Sequence, residues 1–122
     1  MELVPAKEEY YEFIRILRLH PENKNGFILQ VDITPQQQVE YMNKFYDSYY
    51  VCLLCNEPVG YIGVIDNDIR VCTHPNHKGK GVGQFMLEGI SNIFPDATGK
   101  IKKDNIPSQK LFDKCKVPYT II

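Results

Sequence analysis

Three glycines at alternate positions in His77-Lys78-Gly79-Lys80-Gly81-Val82-Gly83, followed at once by an amphipathic stretch, constrain this chain more than any other segment. Such a run leaves several backbone N–H groups bare. A helix that begins here adds its own unpaired N–H groups and the positive end of its dipole. A turn of this kind holds a phosphate or pyrophosphate with little help from side chains. Lys78 and Lys80 add positive charge, and the glycines let a ligand approach the backbone closely. The segment therefore points to a grip on a phosphorylated cofactor. Its spacing excludes two familiar phosphate-binding patterns. No Gly-Lys-Ser/Thr follows at the P-loop distance, and after Gly81 the next glycine comes one residue too early for G-x-G-x-x-G.

The rest of the chain suits one compact domain over residues 1–122. A formal net charge of −1 supplies no basic field for nucleic acid. The basic cluster from His74 to Lys80 is short and lacks interleaved aromatics. No apolar run approaches a membrane span, and Met1-Glu2-Leu3-Val4-Pro5 lacks the regions of a signal peptide, so a cytoplasmic location is expected. Cys52 and Cys55 are spaced C-x-x-C, but within a strand they face opposite sides and cannot share a metal. Four buried free thiols and no metal are expected.

Along the chain, Glu2 to Val4 reads as a short strand stopped by Pro5, and Lys7 to Leu19 as a helix with Tyr10, Phe13, Ile14 and Leu17 on one face. His20 to Gly26 ends that helix, and Phe27 to Val31 is ambiguous. Thr34 and Gln37 form a capping box for a second helix whose face is Val39, Met42, Phe45 and Tyr46. Strands follow at Tyr49–Cys55, Val59–Ile65 and Ile69–His74, joined by tight turns at Asn56-Glu57-Pro58 and Asp66-Asn67-Asp68. Val82, Met86, Ile90 and Ile93 give the next helix one stripe. A strand at Gly99–Lys103, a helix at Ser108–Cys115 and a strand at Tyr119–Ile122 complete the order. A meander followed by strand–loop–helix crossovers implies an α/β (α+β) fold, with a mixed, mostly antiparallel central sheet and helices on both faces.

The pattern of a basic residue, two residues, Gly, one residue and Gly, with Pro75 upstream, resembles the acetyl-CoA-binding segment of the GNAT family of N-acetyltransferases, written R/Q-x-x-G-x-G/A. Lys78 stands in the Arg/Gln place, and Gly81 and Gly83 in the glycine places. The element order matches that family's fold along nearly the whole chain, with a shortened C-terminus that lacks a closing strand. The edge near Tyr119–Ile122 is then open, and pairing with a second copy of the chain is one way to cover it.

What the resemblance implies is specific. The strand before the loop would part from its neighbour, and the backbone of Val71 and Thr73 would hydrogen-bond the pantetheine arm. Amides from Lys78 through Gly79, Lys80, Gly81 and Val82 to Gly83 would hold the pyrophosphate. A small-molecule amine would attack the thioester directly after losing its proton to a base. Asp68 and His74 are the candidates for that base, and His74 titrates in the right range. Asn105-Ile106-Pro107-Ser108-Gln109-Lys110-Leu111-Phe112 is similar to the family's N-x-x-A/S-x-x-L-Y, which puts Asn105 and Ser108 beside the pantetheine. Phe112 stands where that pattern has a proton-donating tyrosine, so Tyr119 or Cys115 is the substitute donor. Arg18 to Glu22 resembles a segment of family members that acetylate amines on nucleotide-linked sugars. The expectation is an acetyl-CoA-dependent N-acetyltransferase, and Phe112 motivates the alternative of a non-catalytic acyl-CoA-binding module.

Overall fold

The computed structural model describes residues 1–24 and 32–122. The ambiguous stretch Phe27–Val31 and the Asn25-Gly26 stop signal lie outside the described residues. Strands β1 (Glu2–Pro5), β2 (Tyr49–Leu54), β3 (Glu57–Ile65) and β4 (Asp68–Thr73) form an antiparallel sheet in that order. Between β1 and β2 come α1 (Tyr11–Leu19), α2 (Pro21–Lys24) and α3 (Pro35–Phe45). After β4 come α4 (Val82–Ile93), β5 (Gly99–Ile101), α5 (Ile106–Cys115) and β6 (Tyr119–Ile121). β5 and β6 pair in parallel as a separate two-stranded sheet, so the expected mixed sheet is divided in two.

Both faces of the larger sheet are covered, which is why β2 and β3 read as almost continuous apolar runs rather than alternating ones. Tyr49, Val51, Leu53 and Tyr61 pack with Ile14 and Leu17 of α1 and Met42 of α3. Cys52, Ile62, Val64 and Ile69 pack with Met86, Leu87 and Ile90 of α4 and Phe112 of α5. The capping box at α3 is complete. Thr34 Oγ1 accepts from the Gln37 N–H at 3.1 Å, and Gln37 Oε1 accepts from the Thr34 N–H at 2.9 Å. Both hairpin turns have two central residues with positive φ, Cys55-Asn56 and Asp66-Asn67, as the twist of two-residue hairpins demands.

Several boundaries differ from the sequence expectation for local reasons. The first hairpin turns at Cys55-Asn56, so Glu57 and Pro58 already belong to β3. That places Cys55 in the exposed turn, and Cys115 is only half-buried, so of the four free thiols Cys52 and Cys72 alone are buried. Pro21 opens a further helical turn instead of ending helical structure, because proline suits a first helical position. On α3 the buried positions are Gln38 and Met42, while Val39 is exposed, as is Tyr46 just past the helix end. Ile93 likewise leaves the α4 stripe, whose buried members are Val82, Met86, Leu87 and Ile90. In each case a helix touches the sheet along a narrower seam than its apolar residues offer.

α5 ends on Lys116, held in the left-handed region at φ 58°. Its N–H donates to the Asp113 carbonyl at 3.1 Å, and the next N–H, of Val117, donates to Phe112 at 3.0 Å. A side chain in that conformation is strained, and glycine is the residue usually found there. Lys116→Gly is expected to stabilise the fold by about 1 kcal/mol, read as a higher denaturant midpoint with an unchanged slope.

Candidate active site

The site begins where β4 and β5 fail to stay together. The Ile69 N–H donates to the Thr98 carbonyl at 2.9 Å and the Thr98 N–H to Asn67 at 2.8 Å. Asp68 and Thr98 form an isolated parallel bridge, after which β5 pairs with β6 and not with β4. Alternate residues of a strand turn their N–H and C=O to the same side. Since Ile69 faces Thr98, Val71 and Thr73 face the widening gap. His74, of the opposite parity, donates back to Val59 of β3 at 2.8 Å.

A cavity of about 600 Å³ occupies this gap. It has two walls, set by the alternation of side chains along β4. Towards α4 and α5 it is lined by Ile69, Val71, Asn105, Ser108 and Phe112. Towards α1 and α3 it is lined by Arg18, Tyr49, Tyr61 and Arg70. Asp68 sits at the closed end beside the bridge, and Lys100 lies on the exposed rim.

The glycine turn stands where β4 ends. Gly79 and Gly81 have φ of 78° and 82°, which only glycine adopts without strain, and nothing lies within 4 Å of where a Cβ would be. Gly81 is the N-cap of α4 and brings no side chain to cap it. The Phe85 N–H makes a helical bond to the Gly81 carbonyl at 3.0 Å. By helix geometry, the Val82, Gly83 and Gln84 N–H groups before it have no intrahelical partner. Lys78, Gly79, Lys80 and Gly81 are all exposed. A Cβ on Gly83 would lie 3.7 Å from Thr73 Oγ1, so the helix start and the end of β4 adjoin. An anion here meets unpaired amides, the positive end of the α4 dipole and two lysines.

On the opposite wall Asn105 is the N-cap of α5, accepting from the Ser108 N–H at 3.4 Å. Capping uses its carbonyl oxygen and leaves the amide N–H₂ to serve as donor. Phe112 is 2 % exposed and contributes only an apolar surface.

The polar groups of the cavity were only partly legible in advance. Arg70 Nη1 donates to the Tyr41 hydroxyl at 3.0 Å, and the Tyr41 and Tyr49 hydroxyls are 2.8 Å apart. Asp68 lies 3.8 Å from Arg70 Nε, an ion pair too long for a hydrogen bond. Burial is the main reason that the phenols of Tyr49 and Tyr61 titrate well above the usual tyrosine range. Burial also pushes the Cys72 thiol up to about 12, against the pull of Lys78 and Arg18, so it is a poor nucleophile. Sequence reasoning singled out Asp68, the segment that begins at Arg18 and the tyrosines between Tyr41 and Tyr61 as pocket-lining residues, but missed Arg70. The signal for Arg70 was its charge between Ile69 and Val71 in an otherwise apolar strand.

His74 and Tyr119 are placed outside the cavity lining. His74 Nδ1 accepts from the Asn76 N–H at 3.1 Å, which puts the proton of the neutral ring on Nε2. Its ring centroid is 5.7 Å from that of His77 and 6.4 Å from that of His20, so the three histidines form a row beside the turn. The Tyr119 ring packs on Phe112 at 5.9 Å, and its hydroxyl is bonded to Asp113, which raises its pKa. Cys115 is likewise raised by burial. Among the described residues no cluster of three or more side chains could hold a metal ion, and no helix is long and apolar enough to cross a membrane.

A sequence model described as the acetyltransferase (GNAT) family matches residues 10–116. No curated protein matches the chain in sequence. Among solved structures, the spermidine N-acetyltransferase of Vibrio cholerae in complex with CoA and spermine aligns with a TM-score of 0.80 at 14% identity, covering 93% of this chain and 78% of that one. The ribosomal-protein-alanine N-acetyltransferase of Brucella melitensis aligns at 0.78 and 16% identity, covering 93% and 82%. The acetyltransferase (GNAT family) of Bacillus anthracis aligns at 0.74 and 15% identity, covering 93% and 76%. At these identities the likeness speaks for the fold.

The His74 imidazole is held below the ordinary histidine range, first by burial and then by His77 and His20, with Glu22 opposing. A depressed pKa means that the unfolded chain takes up the proton first as pH falls. The stability tied to the neutral ring is therefore complete above about pH 6.5 and declines as pH falls towards the folded-state value. NMR titration is expected to show His74 neutral at pH 7 with a midpoint below 6.5. His74→Gln should flatten the loss of stability on acidification.

Proposed function

The chain belongs to the acetyltransferase (GNAT) family, and from that premise we propose that it transfers the acetyl group of acetyl-CoA to a primary amine of a small molecule. The observation that carries this reading is the parting of β4 from β5 directly beside the uncapped start of α4. One end of the gap presents bare amides for a diphosphate, and its length presents strand groups for an extended amide-bearing arm. The residues fit the coenzyme. Lys78 to Gly83 would hold the diphosphate, Val71 and Thr73 would extend the sheet onto the pantetheine, and Asn105 and Ser108 would close the far wall. When bound, acetyl-CoA supplies a thioester whose carbonyl carbon accepts the amine.

The protein's part is to orient, to desolvate and to move a proton. An N–H of β4 that faces the gap would polarise the carbonyl. Asp68, at the closed end of the cavity, takes the proton that the amine must lose. His74, neutral and with its Nδ1 occupied, stands beside the turn, outside the cavity lining. Phe112 gives no proton, and a thiolate with a pKa near 8–9 leaves without one at neutral pH. The same residue favours a second reading, a non-catalytic acyl-CoA-binding module, since its buried ring fills the place of a donor. We also propose that the outer edge of β6, with Ile121 and Ile122 exposed, pairs with a second copy. Light scattering that finds only monomers at high concentration excludes that pairing.

Acetyl-CoA is expected to raise the melting temperature, with a gain of about 2.7 kcal/mol at a hundredfold excess over Kd. Gly81→Asp should abolish that gain, because its carboxylate competes for the amides and repels the diphosphate. Space for a Cβ is open there, but aspartate at this positive φ costs about 1–3 kcal/mol, so the gain is read against the variant's own ligand-free melting temperature. A thermal gain that survives the substitution refutes the assignment of the turn. Thiol release with a panel of amines separates enzyme from binding module. Asp68→Asn should lower kcat by about a hundredfold with acetyl-CoA affinity retained. An equal loss in His74→Gln but none in Asp68→Asn places the proton path through His74.

A further inference from the structure

The wall of the cavity that faces α1 and α3 is not neutral. Among the described residues, Arg18 and Arg70 line it and Lys100 lies on the cavity's rim, with Asp68 as the carboxylate in the lining. Arg70 is held in a defined place. The Tyr41 hydroxyl accepts from its Nη1 at 3.0 Å, and the Tyr49 hydroxyl is 2.8 Å behind. Its ion pair with Asp68, at 3.8 Å, leaves the remaining N–H groups of the guanidinium unsaturated by that carboxylate. Arg70 is 37% exposed in its side chain, so a small ligand in the cavity can reach it. Arg18, from α1, lines the same cavity beside Tyr61. A cavity with this balance repels a polyamine and attracts an anion.

Resting on the acetyl-transfer reading above, we propose that the acceptor is an amine that also carries an acidic group, a carboxylate or a phosphate. The acid sits on Arg70 and Arg18, whose planar forks match oxyacid geometry. The amine points to Asp68 at the closed end, where the strands meet. The arrangement complements a zwitterion: its ammonium faces the one carboxylate, its acid faces the arginines. The preference arises from Arg70 being fixed by two tyrosines, because a pre-positioned guanidinium loses little freedom on binding.

The test pairs each acid-bearing amine with an uncharged counterpart in thiol-release assays. The α-amino acids are set against their amides, O-phosphoethanolamine against ethanolamine, and spermidine stands as the polycation. Acid-bearing acceptors are expected to exceed their counterparts in kcat/KM by about tenfold or more, as a hydrogen-bonded charge pair contributes. The two arms, carboxylate and phosphate, show which acid is used. Arg70→Gln should bring the ratio towards one, and Arg70→Lys should restore part of it. Equal use of the uncharged partners, a preference for spermidine, or a ratio unchanged in Arg70→Gln overturns the proposal while acetyl transfer stands. Absence of thiol release with every amine counts against acetyl transfer itself. Calorimetry of the CoA-saturated protein then decides the acceptor class: binding of O-phosphoethanolamine but not ethanolamine supports the acidic acceptor, and equal binding refutes it. Wild-type ratios stand alone if a variant does not fold.

Discussion

A single pair of hydrogen bonds organises this molecule. Thr98 ties the start of β4 to the approach of β5, and beyond it the two strands separate. Were the ladder to continue, Val71 and Thr73 would spend their edge groups on β5, and the cavity would close. Instead β5 finds its partner in β6, and α5 covers the open side. The exposed edge of β4 is thus kept inside a cleft, out of reach of another chain's edge strand, yet available to an extended ligand.

The two cores serve this geometry. One fixes β4 against β3 and α4, so that the uncapped N-terminus of α4 falls at the end of the gap. The other, built from α1, α3 and the tyrosine-bearing face of the sheet, fixes Arg70 through Tyr41 and Tyr49. Even a small residue contributes: a Cβ on Gly63 would meet the Tyr49 ring at 2.5 Å, so glycine there lets that ring lie over the sheet. The glycine turn and the wall that carries Arg70 therefore belong to opposite faces of one sheet and meet at the gap.

Much of the fold was legible because the signals are local. The Thr34–Gln37 capping box, the proline-led start of α3 and the apolar strands need no knowledge of the rest of the chain. Where reading failed, it failed at long range. Val39, Tyr46 and Ile93 are apolar at helical spacing yet exposed, since helix periodicity shows which residues share a face but not how wide the contact is. The glycine turn was legible for the same reason as the capping box: positive φ and bare amides are properties of a few consecutive residues. Arg70 was not, because its placement depends on Tyr41, which lies 29 residues away in sequence.

The sequence alone determined an amide-rich glycine turn at the head of a helix, a meander before it, and a helix after it, each specified by short-range backbone chemistry. The tertiary structure decided at which residue β4 and β5 part, that the Phe112 ring lines the resulting gap, and that Arg18 and Arg70 stand on its other wall. Those outcomes rest on packing between segments far apart in the chain, where a single hydrogen-bonded bridge decides whether a strand edge is spent on protein or left for a ligand.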